Sequence, residues 1–417
     1  MQRGTRMVSA FCLAALAVAF LLATSAHAQT YSVIYNFAGG SDGATPFAGV
    51  TFDSAGSMYG TASAAGRRGY GDVYRLVPGG SGWTFYLLYT FRGLGPQDND
   101  GAGPYSRVTI GPDGALYGST ISGGDGDGCR ELHGCGTVYR VSPKPGQIYD
   151  PWEETVLYRF GTYDGSDPYF GDVVFDSAGN LYGTTRNGGA NLQGAVYKLT
   201  PLAGNWTEQV IYSFAGMPDG SAPLNGPVLD QSGNLYGITY AGGVSGWGTV
   251  YRLSLSGSTS QESVLYSFHN GGDGLYPTSA VFLDASGNLY GATQTGGADG
   301  GGAVFELTPS GNGAWSVSTV YGFSGPGLAN SYRTLTMDRA GYLYGTDSMG
   351  GAHGQGSVFK LTPSNGGWIC TTLHDFTGGE DGGAPYGVLS VNGNGNIYGT
   401  ASTGGAYGNG VVFEIVR

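Results

Sequence analysis

The sequence predicts an all-β fold: a seven-bladed β-propeller of four-stranded blades, closed by an N-terminal strand that completes the last blade. Three observations point to it. An apolar–Tyr–Gly motif occurs seven times, and its last five tyrosines, from Tyr182 to Tyr398, follow one another at steps of 54 residues. Each unit holds four short β-prone runs that are divided by turn residues. The two ends of the chain carry complementary parts of one unit.

The motif marks the second of the four runs, which we name strands A to D from the expected axis outward. A fixed period of this length indicates a repeat architecture. Strands C and D carry large apolar residues at adjacent positions, so both faces of each sheet must be buried. Blades around an axis provide that burial, whereas an open solenoid, the alternative, would need polar end caps. The seven copies are Met58-Tyr59-Gly60, Leu116-Tyr117-Gly118, Leu181-Tyr182-Gly183, Leu235-Tyr236-Gly237, Leu289-Tyr290-Gly291, Leu343-Tyr344-Gly345 and Ile397-Tyr398-Gly399.

The two chain ends predict how the ring closes. The last unit stops after strand C, at residues 411–416, and residues 31–37 form a lone strand D near the start of the chain. We therefore expect residues 31–37 to complete the seventh blade. Residues 29–417 are then a single propeller domain, which we expect to be a monomer.

Residues 1–28 are predicted to be a signal peptide. Arg3 and Arg6 precede an apolar run, and Ala26-His27-Ala28 offers small residues at the cleavage position, so the mature chain would begin at Gln29. Export to the periplasm or the exterior is the expected outcome. No later segment is apolar enough to be expected to span a membrane.

The acidic net charge of the chain argues against one class of binding partner, nucleic acid. The chain has 30 acidic and 18 basic residues, a net charge of −12. Nucleic acid is therefore not expected as a partner, because its binding depends on Lys and Arg that neutralise phosphates.

The units resemble the Gloeo–Verruco (GloVer) tandem repeat of bacterial extracellular proteins. The matching text is clearest in unit five, at residues 265–268, 273–277, 284–291 and 302–309. The resemblance covers essentially all of the expected mature chain, and it implies a secreted or surface protein with a propeller-like fold. It implies no catalytic residues and no known activity.

Unit two departs most from the common spacing. It is longer between strands D and A, where Asp98 and Asp100 lie, and again between strands B and C, where Asp125 and Asp127 lie. Both loops should open on one face of a propeller, and long loops often carry function. We take these four aspartates as candidate ligand-binding residues. Their carboxylates predict either a solvated acidic loop or a Ca²⁺ site, and no other cofactor is expected.

Cysteines in the same loop predict a disulfide. Cys129 and Cys135 are close in sequence, and an exported chain meets an oxidising compartment. A zinc site that uses His133 is the alternative, although a second cysteine pair is missing. Cys370 is expected to be a small buried residue.

Arg107 and Asp172 stand at the start of strand A in neighbouring units, where other units have Gly, Ala, Thr or Val. These two candidate ligand-binding residues would either line the mouth of the axial channel or pair with each other. Arg333 is a weaker candidate of the same kind.

Two other recurring features favour a structural role. An Asp-Gly step precedes proline by four residues in six places, which suggests a local turn in which Asp bonds to its own backbone. Five tryptophans precede the closing Phe of strand D by eight residues, which suggests packing at blade edges; Trp247 breaks this pattern and could be exposed.

No nucleophile-and-base constellation is visible, so the expected function is a binding or surface-interaction module. Its ligand would be a cell-envelope glycan or protein. One alternative is a secreted lyase or hydrolase, with Asp172 or Asp100 acting beside Arg107 at the channel mouth. That alternative requires Arg107, Asp172 and the loops of unit two to share one pocket. The other alternative is a structural surface protein without a discrete ligand.

Overall fold

The computed structural model describes residues 29–93, 99–124, 134–146, 151–256, 259–269, 271–311, 313–324 and 332–417. This part of the chain is all-β and forms seven antiparallel sheets, each with four main strands, arranged as a seven-bladed propeller. The prediction of the fold is confirmed. No helix within the described ranges is long and apolar enough to cross a membrane.

Strands A to D lie side by side in chain order in blades 1 to 6, while in blade 7 strand D comes from the start of the chain. The innermost strands A are Thr51–Phe52, Thr109–Ile110, Val174–Phe175, Val228–Leu229, Phe282–Leu283, Arg333–Met337 and Ser390–Val391. Strands B are Met58–Ala62, Leu116–Thr120, Leu181–Thr185, Leu235–Thr239, Leu289–Thr295, Leu343–Asp347 and Ile397–Ala401. Strands C are Asp72–Gly79, Thr137–Pro143, Ala195–Leu202, Thr249–Ser256, Gly300–Pro309, Ser357–Ser364 and Val411–Val416. Strands D of blades 1 to 6 are Gly82–Thr90, Trp152–Arg159, Asn205–Ser213, Thr259–Ser267, Trp315–Ser324 and Gly367–Asp375.

Two short pairings supplement this plan. Gly220–Ser221 pairs with Ala241–Gly242, and Leu275–Pro277 adds to strand B of blade 5. Both lie in the loops that connect strands D to A and B to C. We call the face that carries these loops the upper face, and the opposite face the lower face.

Glycine is required in the motif because an aromatic ring lies over it. In blade 1, a Cβ at Gly60 would collide with the ring of Tyr74 on strand C, and Gly291 of blade 5 meets Phe305 in the same way. The hydroxyl of the motif tyrosine donates to an aspartate of the turn between strands A and B in blades 1 to 4 and 6, and to a glutamate of strand C in blades 5 and 7. The Tyr59 hydroxyl donates to Asp53, at 3.1 Å, while the same carboxylate accepts the backbone N–H of Ala55.

The N-terminal strand Thr30–Asn36 completes blade 7, as predicted. It pairs antiparallel with strand C, Thr30 opposite Val416 and Asn36 opposite Val411. The ring of Tyr31 stacks on His374 of blade 6, with centroids 3.7 Å apart. One residue beyond the strand, Phe37 is fully buried against Tyr74 of blade 1. Residues 30–37 therefore contact both neighbours of the blade that they close.

The repeated aspartates and tryptophans have the structural roles that the sequence suggests. Asp219 accepts the backbone N–H of Ala215 at 2.8 Å and the Tyr212 hydroxyl at 3.0 Å, which fixes the end of strand D. Trp206 packs edge-on against Tyr117 of the preceding blade, with centroids 6.2 Å apart. Both features hold blades in place.

Candidate functional site

Strands A of all seven blades begin around a pocket on the upper face, where the space amounts to about 450 Å³ including open solvent. Of the lining residues that the structure describes, Arg107 and Asp172 are the two that carry charge. The positions equivalent to these two in the other blades hold small or uncharged residues: Gly49, Gly226, Ala280, Thr334 and Val388.

Arg107 and Asp172 meet in this cavity. The Arg107 backbone N–H donates to Asp172 Oδ1 at 2.8 Å, and Arg107 Nε lies 3.2 Å from Oδ2. Burial raises the pKa of Asp172, and the charge of Arg107 opposes that rise. Both alternatives that the sequence left open are therefore realised, because the two residues line the cavity and also pair with each other.

Six aromatic residues gather over the axis on the upper face, and we call them the aromatic platform. Phe47 stacks on Tyr105 with centroids 4.7 Å apart, and Phe47 also lies 5.0 Å from Tyr386. Phe170 of blade 3 reaches Tyr332 of blade 6, at 5.9 Å, and so bridges the axis. Each ring remains partly exposed. The members of the platform are Phe47, Tyr105, Tyr169, Phe170, Tyr332 and Tyr386.

The repeat places these rings together, and one insertion completes the platform. Four of the rings directly follow the proline of the Asp-Gly-x-x-Pro segment. Blade 3 has one residue more than the other blades between that proline, Pro168, and strand A. The extra length lets Phe170 extend across the axis. Sequence reasoning missed the platform, although an aromatic residue after proline in several units was a usable signal.

The platform does not extend over blades 4 and 5, where a second group of aromatic side chains lies instead. Leu224 and Thr278 occupy the position that follows proline there. Tyr240 stacks on Tyr276 with centroids 4.9 Å apart and donates to Gln294 Oε1 at 2.9 Å. Trp247, which the sequence suggested could be exposed, is half-buried against Tyr276.

Arg107 also lines a wider opening on the lower face, where the space amounts to about 1580 Å³ including open solvent. Its wall includes the hydroxyl-bearing Thr51, Thr109, Thr336 and Ser390. The axis is thus covered by aromatic rings above, while hydroxyl groups line the approach to Arg107 from below.

Asp100 lies elsewhere, in a separate open pocket between blades 1 and 2 that Glu154 and Arg159 also line, where the space amounts to about 580 Å³ including open solvent. Asp100 is 7 % exposed, and its carboxylate accepts the backbone N–H groups of Arg92, at 2.8 Å, and Gly93, at 3.0 Å. These are the turn bonds of the repeat, so the carboxylate is already used within the fold.

The two long loops of unit two do meet on the upper face, because the Gly124 N–H donates to Asn99 Oδ1 at 2.7 Å. Asp98, Asp125, Asp127 and Cys129 lie outside the described residues. The Cys129–Cys135 bridge and a calcium site therefore stay predictions; Cys135 itself is buried, and Cys370 is a free, partly buried thiol. Within the described ranges, no group of three His, Cys, Asp or Glu side chains is arranged to hold a metal ion.

The interpretation of Arg333 as a channel residue was wrong. The residue is 5 % exposed, and its Nη2 lies 2.6 Å from Asp347 Oδ2. Nη1 donates to the Gln294 carbonyl at 3.0 Å and lies against Gly302. In other blades the equivalent glycine meets the proline of the Asp-Gly-x-x-Pro segment, which unit six lacks. The guanidinium therefore fills the place of the missing proline.

Several solved structures are similar to the chain at low sequence identity. A putative oxidoreductase (glucose dehydrogenase) from Thermus thermophilus is 15 % identical, with 93 % of this chain and 100 % of that chain covered and a TM-score of 0.44. A putative 6-phosphogluconolactonase from Bacteroides uniformis is also 15 % identical, with 78 % and 83 % covered and a TM-score of 0.46. A polysaccharide lyase, an ulvan lyase bound to -[GlcA(1-4)Rha3S]-, is 12 % identical, with 89 % and 93 % covered and a TM-score of 0.55. Of these three, the lyase has a TM-score above 0.5, and at 12 % identity its likeness concerns the fold alone.

No curated protein matches the chain. The model of the Gloeobacter/Verrucomicrobia repeat matches three overlapping stretches, residues 18–226, 130–325 and 312–417. Together these stretches include all seven blades and the closing strand. The chain is therefore a member of the Gloeobacter/Verrucomicrobia repeat family.

Proposed function

We propose that this protein is an exported glycan-binding module whose ligand stacks on the aromatic platform. The observation that carries the proposal is the convergence of six partly exposed rings from five blades over one cavity. Scattered apolar residues on a surface need no explanation, but a contiguous patch at the centre of a face is typical of a binding site.

The chemistry of the platform suits a sugar. Aromatic rings offer flat apolar area to the C–H face of a pyranose, while tyrosine hydroxyls at their edges can bond to its hydroxyl groups. Burial raises the pKa of Tyr105, Tyr332 and Tyr386, so these phenols remain protonated donors at neutral pH. The cavity below adds Asn225, Thr278 and the Arg107–Asp172 pair as further polar groups.

The lyase or hydrolase alternative has less support. It requires Arg107, Asp172 and the loops of unit two to share a pocket. Asp100 instead lies in a different cavity, and its carboxylate is bonded to the turn that follows strand D. Arg107 and Asp172 neutralise each other at 3.2 Å. Binding therefore accounts for the described residues better than catalysis.

The test is a glycan array probed with the full exported chain, followed by calorimetric titration of each glycan that binds. Tyr332→Ala and Tyr386→Ala should each weaken binding by about tenfold or more, because each removes a stacking surface near the centre of the platform. Tyr86→Ala is the matched control, since Tyr86 is 51 % exposed on strand D of blade 1, away from the platform.

Equal affinity in all three variants would overturn the proposal. So would the absence of any glycan that binds the wild-type chain, which would favour a protein ligand or a purely structural role. Melting temperatures of the variants should be compared, so that lost binding is counted only in folded protein.

A further inference from the structure

One charged side chain stands at the edge of the aromatic platform. Arg186 follows strand B of blade 3, and its guanidinium lies over the ring of Tyr169, 5.4 Å from the centroid. The charge of Arg186 lowers the pKa of Tyr169, Tyr240 and Tyr332, although burial outweighs this effect in each case. Its field therefore reaches both the platform and the second aromatic group.

No other described blade places a charge at this position. The residue that follows strand B, or its structural equivalent, is neutral in the remaining blades: Ser63, Ile121, Tyr240, Gln294, Ser348 and Ser402. The propeller fold therefore does not require an arginine at this position, and Arg186 must have a role that is specific to blade 3.

The partner of Arg186 holds it only loosely. Arg186 Nη1 lies 3.8 Å from Asp167 Oδ2, which is beyond hydrogen-bond length. The same carboxylate oxygen accepts the Asn187 side-chain amide at 3.2 Å. A guanidinium carries five N–H donors, and 40 % of the Arg186 side chain is exposed. Donors therefore remain available on the side of the platform.

We infer that the platform recognises an acidic glycan, and that Arg186 binds the carboxylate or sulfate group of the sugar that stacks beside Tyr169. This inference rests on the proposed function and adds the charge class of the ligand. A planar guanidinium suits either anion, since it can donate two parallel hydrogen bonds to a pair of oxygens. Asp167 would then hold the guanidinium of Arg186 in place without occupying its N–H donors. Neutral glycans would lack the ionic contact with Arg186.

The experiment uses an array that carries the same backbones in neutral, uronate and sulfated forms. The wild-type chain should prefer an acidic form over its neutral counterpart by about tenfold or more, as expected for one charge-assisted contact. The uronate and sulfate series separate the two sources of negative charge. The preference should shrink as ionic strength rises, because the contact is partly exposed.

Three variants sharpen the test. Arg186→Gln should abolish the preference while keeping affinity for the neutral form, because the aromatic rings are unchanged. Asp167→Asn should increase the preference, since it removes a competing negative charge and nearly preserves shape. Arg339→Gln is the control: it makes the same change in net charge at an exposed residue by the lower opening and should leave the preference unaltered.

The outcomes distinguish the role of Arg186 from glycan binding by the platform. Glycan binding that does not distinguish acidic from neutral forms, or that Arg186→Gln leaves unchanged, overturns the role of Arg186 and leaves the platform standing. Failure of the wild-type chain to bind any form contradicts both. An equal loss in Arg186→Gln and Arg339→Gln would mean that net charge, and not this site, sets the preference.

Discussion

Blades 2 to 4 and blades 5 to 7 share one backbone plan but differ in what lies between neighbouring blades. In blades 2 to 4 the buried aromatic of strand C is a tyrosine, and strand D places a glutamate beside it. In blades 5 to 7 the aromatic is a phenylalanine without a glutamate. The first set is Tyr139 with Glu154, Tyr197 with Glu208, and Tyr251 with Glu262; the second is Phe305 with Val317, Phe359 with Cys370, and Phe413 with Tyr31.

The polar interfaces are incompletely satisfied. The hydroxyls of Tyr139, Tyr197 and Tyr251 are buried and have no hydrogen-bond partner among the described residues, and the same holds for one carboxyl oxygen of each glutamate. Burial, together with the charge of a nearby aspartate, raises the pKa of Glu154 to about 8 and that of Glu262 to about 7. Blade 1 is intermediate, because it has the buried tyrosine, Tyr74, but carries Phe85 where blades 2 to 4 have the glutamate.

The comparison shows that one repeat can be built with two kinds of interface. A buried polar group without a partner costs free energy that an apolar group of the same shape does not. We therefore expect blades 2 to 4 to be the less stable part of the ring, and to be sensitive to pH.

Removal of residues 31–37 should have the largest effect, because it opens the ring at blade 7, in the apolar set. The segment supplies strand D and the fully buried Phe37. We expect a loss comparable to the whole stability of a typical domain, about 5 kcal/mol or more, measured by thermal unfolding.

A truncated chain can fail to fold at all, so Phe37→Ala provides a milder version with an expected cost of about 3–5 kcal/mol. Phe268→Ala is its match, an equally buried closing residue in an internal blade. An unchanged melting temperature after truncation would contradict closure by the first strand.

Arg333→Met should destabilise blade 6 by about 3–5 kcal/mol, because it leaves Asp347 buried without its ionic partner. Urea unfolding measures the effect. The double variant Arg333→Met with Asp347→Leu should recover much of the loss, since no unpaired charge remains. If the single variant is as stable as the wild type, the guanidinium does not replace the missing proline.

Stability should fall as the pH rises from about 5 to about 9. Burial raises the pKa of Glu154 to about 8 and that of Glu208, Glu262 and Asp72 to about 7, so the folded chain retains protons that the unfolded chain loses. The stability that these groups contribute is present at low pH and is lost as the pH passes through their folded values. Urea midpoints that stay level or increase over this range would rule out the explanation.

Conversion of one polar interface into an apolar one should produce the smallest effect. Tyr251→Phe with Glu262→Val copies blade 5 into blade 4 and should stabilise the chain at pH 8 by about 1–3 kcal/mol. It should also reduce the dependence of stability on pH. Glu153→Val makes the same acidic-to-apolar change at an exposed site in strand D of blade 2 and should be close to neutral. Destabilisation by the double variant would mean that the tyrosine and glutamate stabilise each other.

The sequence predicted the ring and its closing strand because both follow from repeat spacing and from the two incomplete ends. It also placed Arg107 and Asp172 correctly, because equivalent positions in neighbouring units must be neighbours in a propeller. The platform escaped prediction because its central contact, Phe170 with Tyr332, joins blades 3 and 6 across the axis. That contact depends on a one-residue insertion whose direction the spacing does not reveal.

The most direct test of the account is a crystal structure of the protein with an oligosaccharide that it binds on the array. We predict a sugar ring stacked on the platform, in contact with Tyr105 or Phe170, and with its acidic group facing Arg186. A sugar bound between blades 1 and 2, or in the lower opening, would contradict the assignment of function to the upper end of the axis.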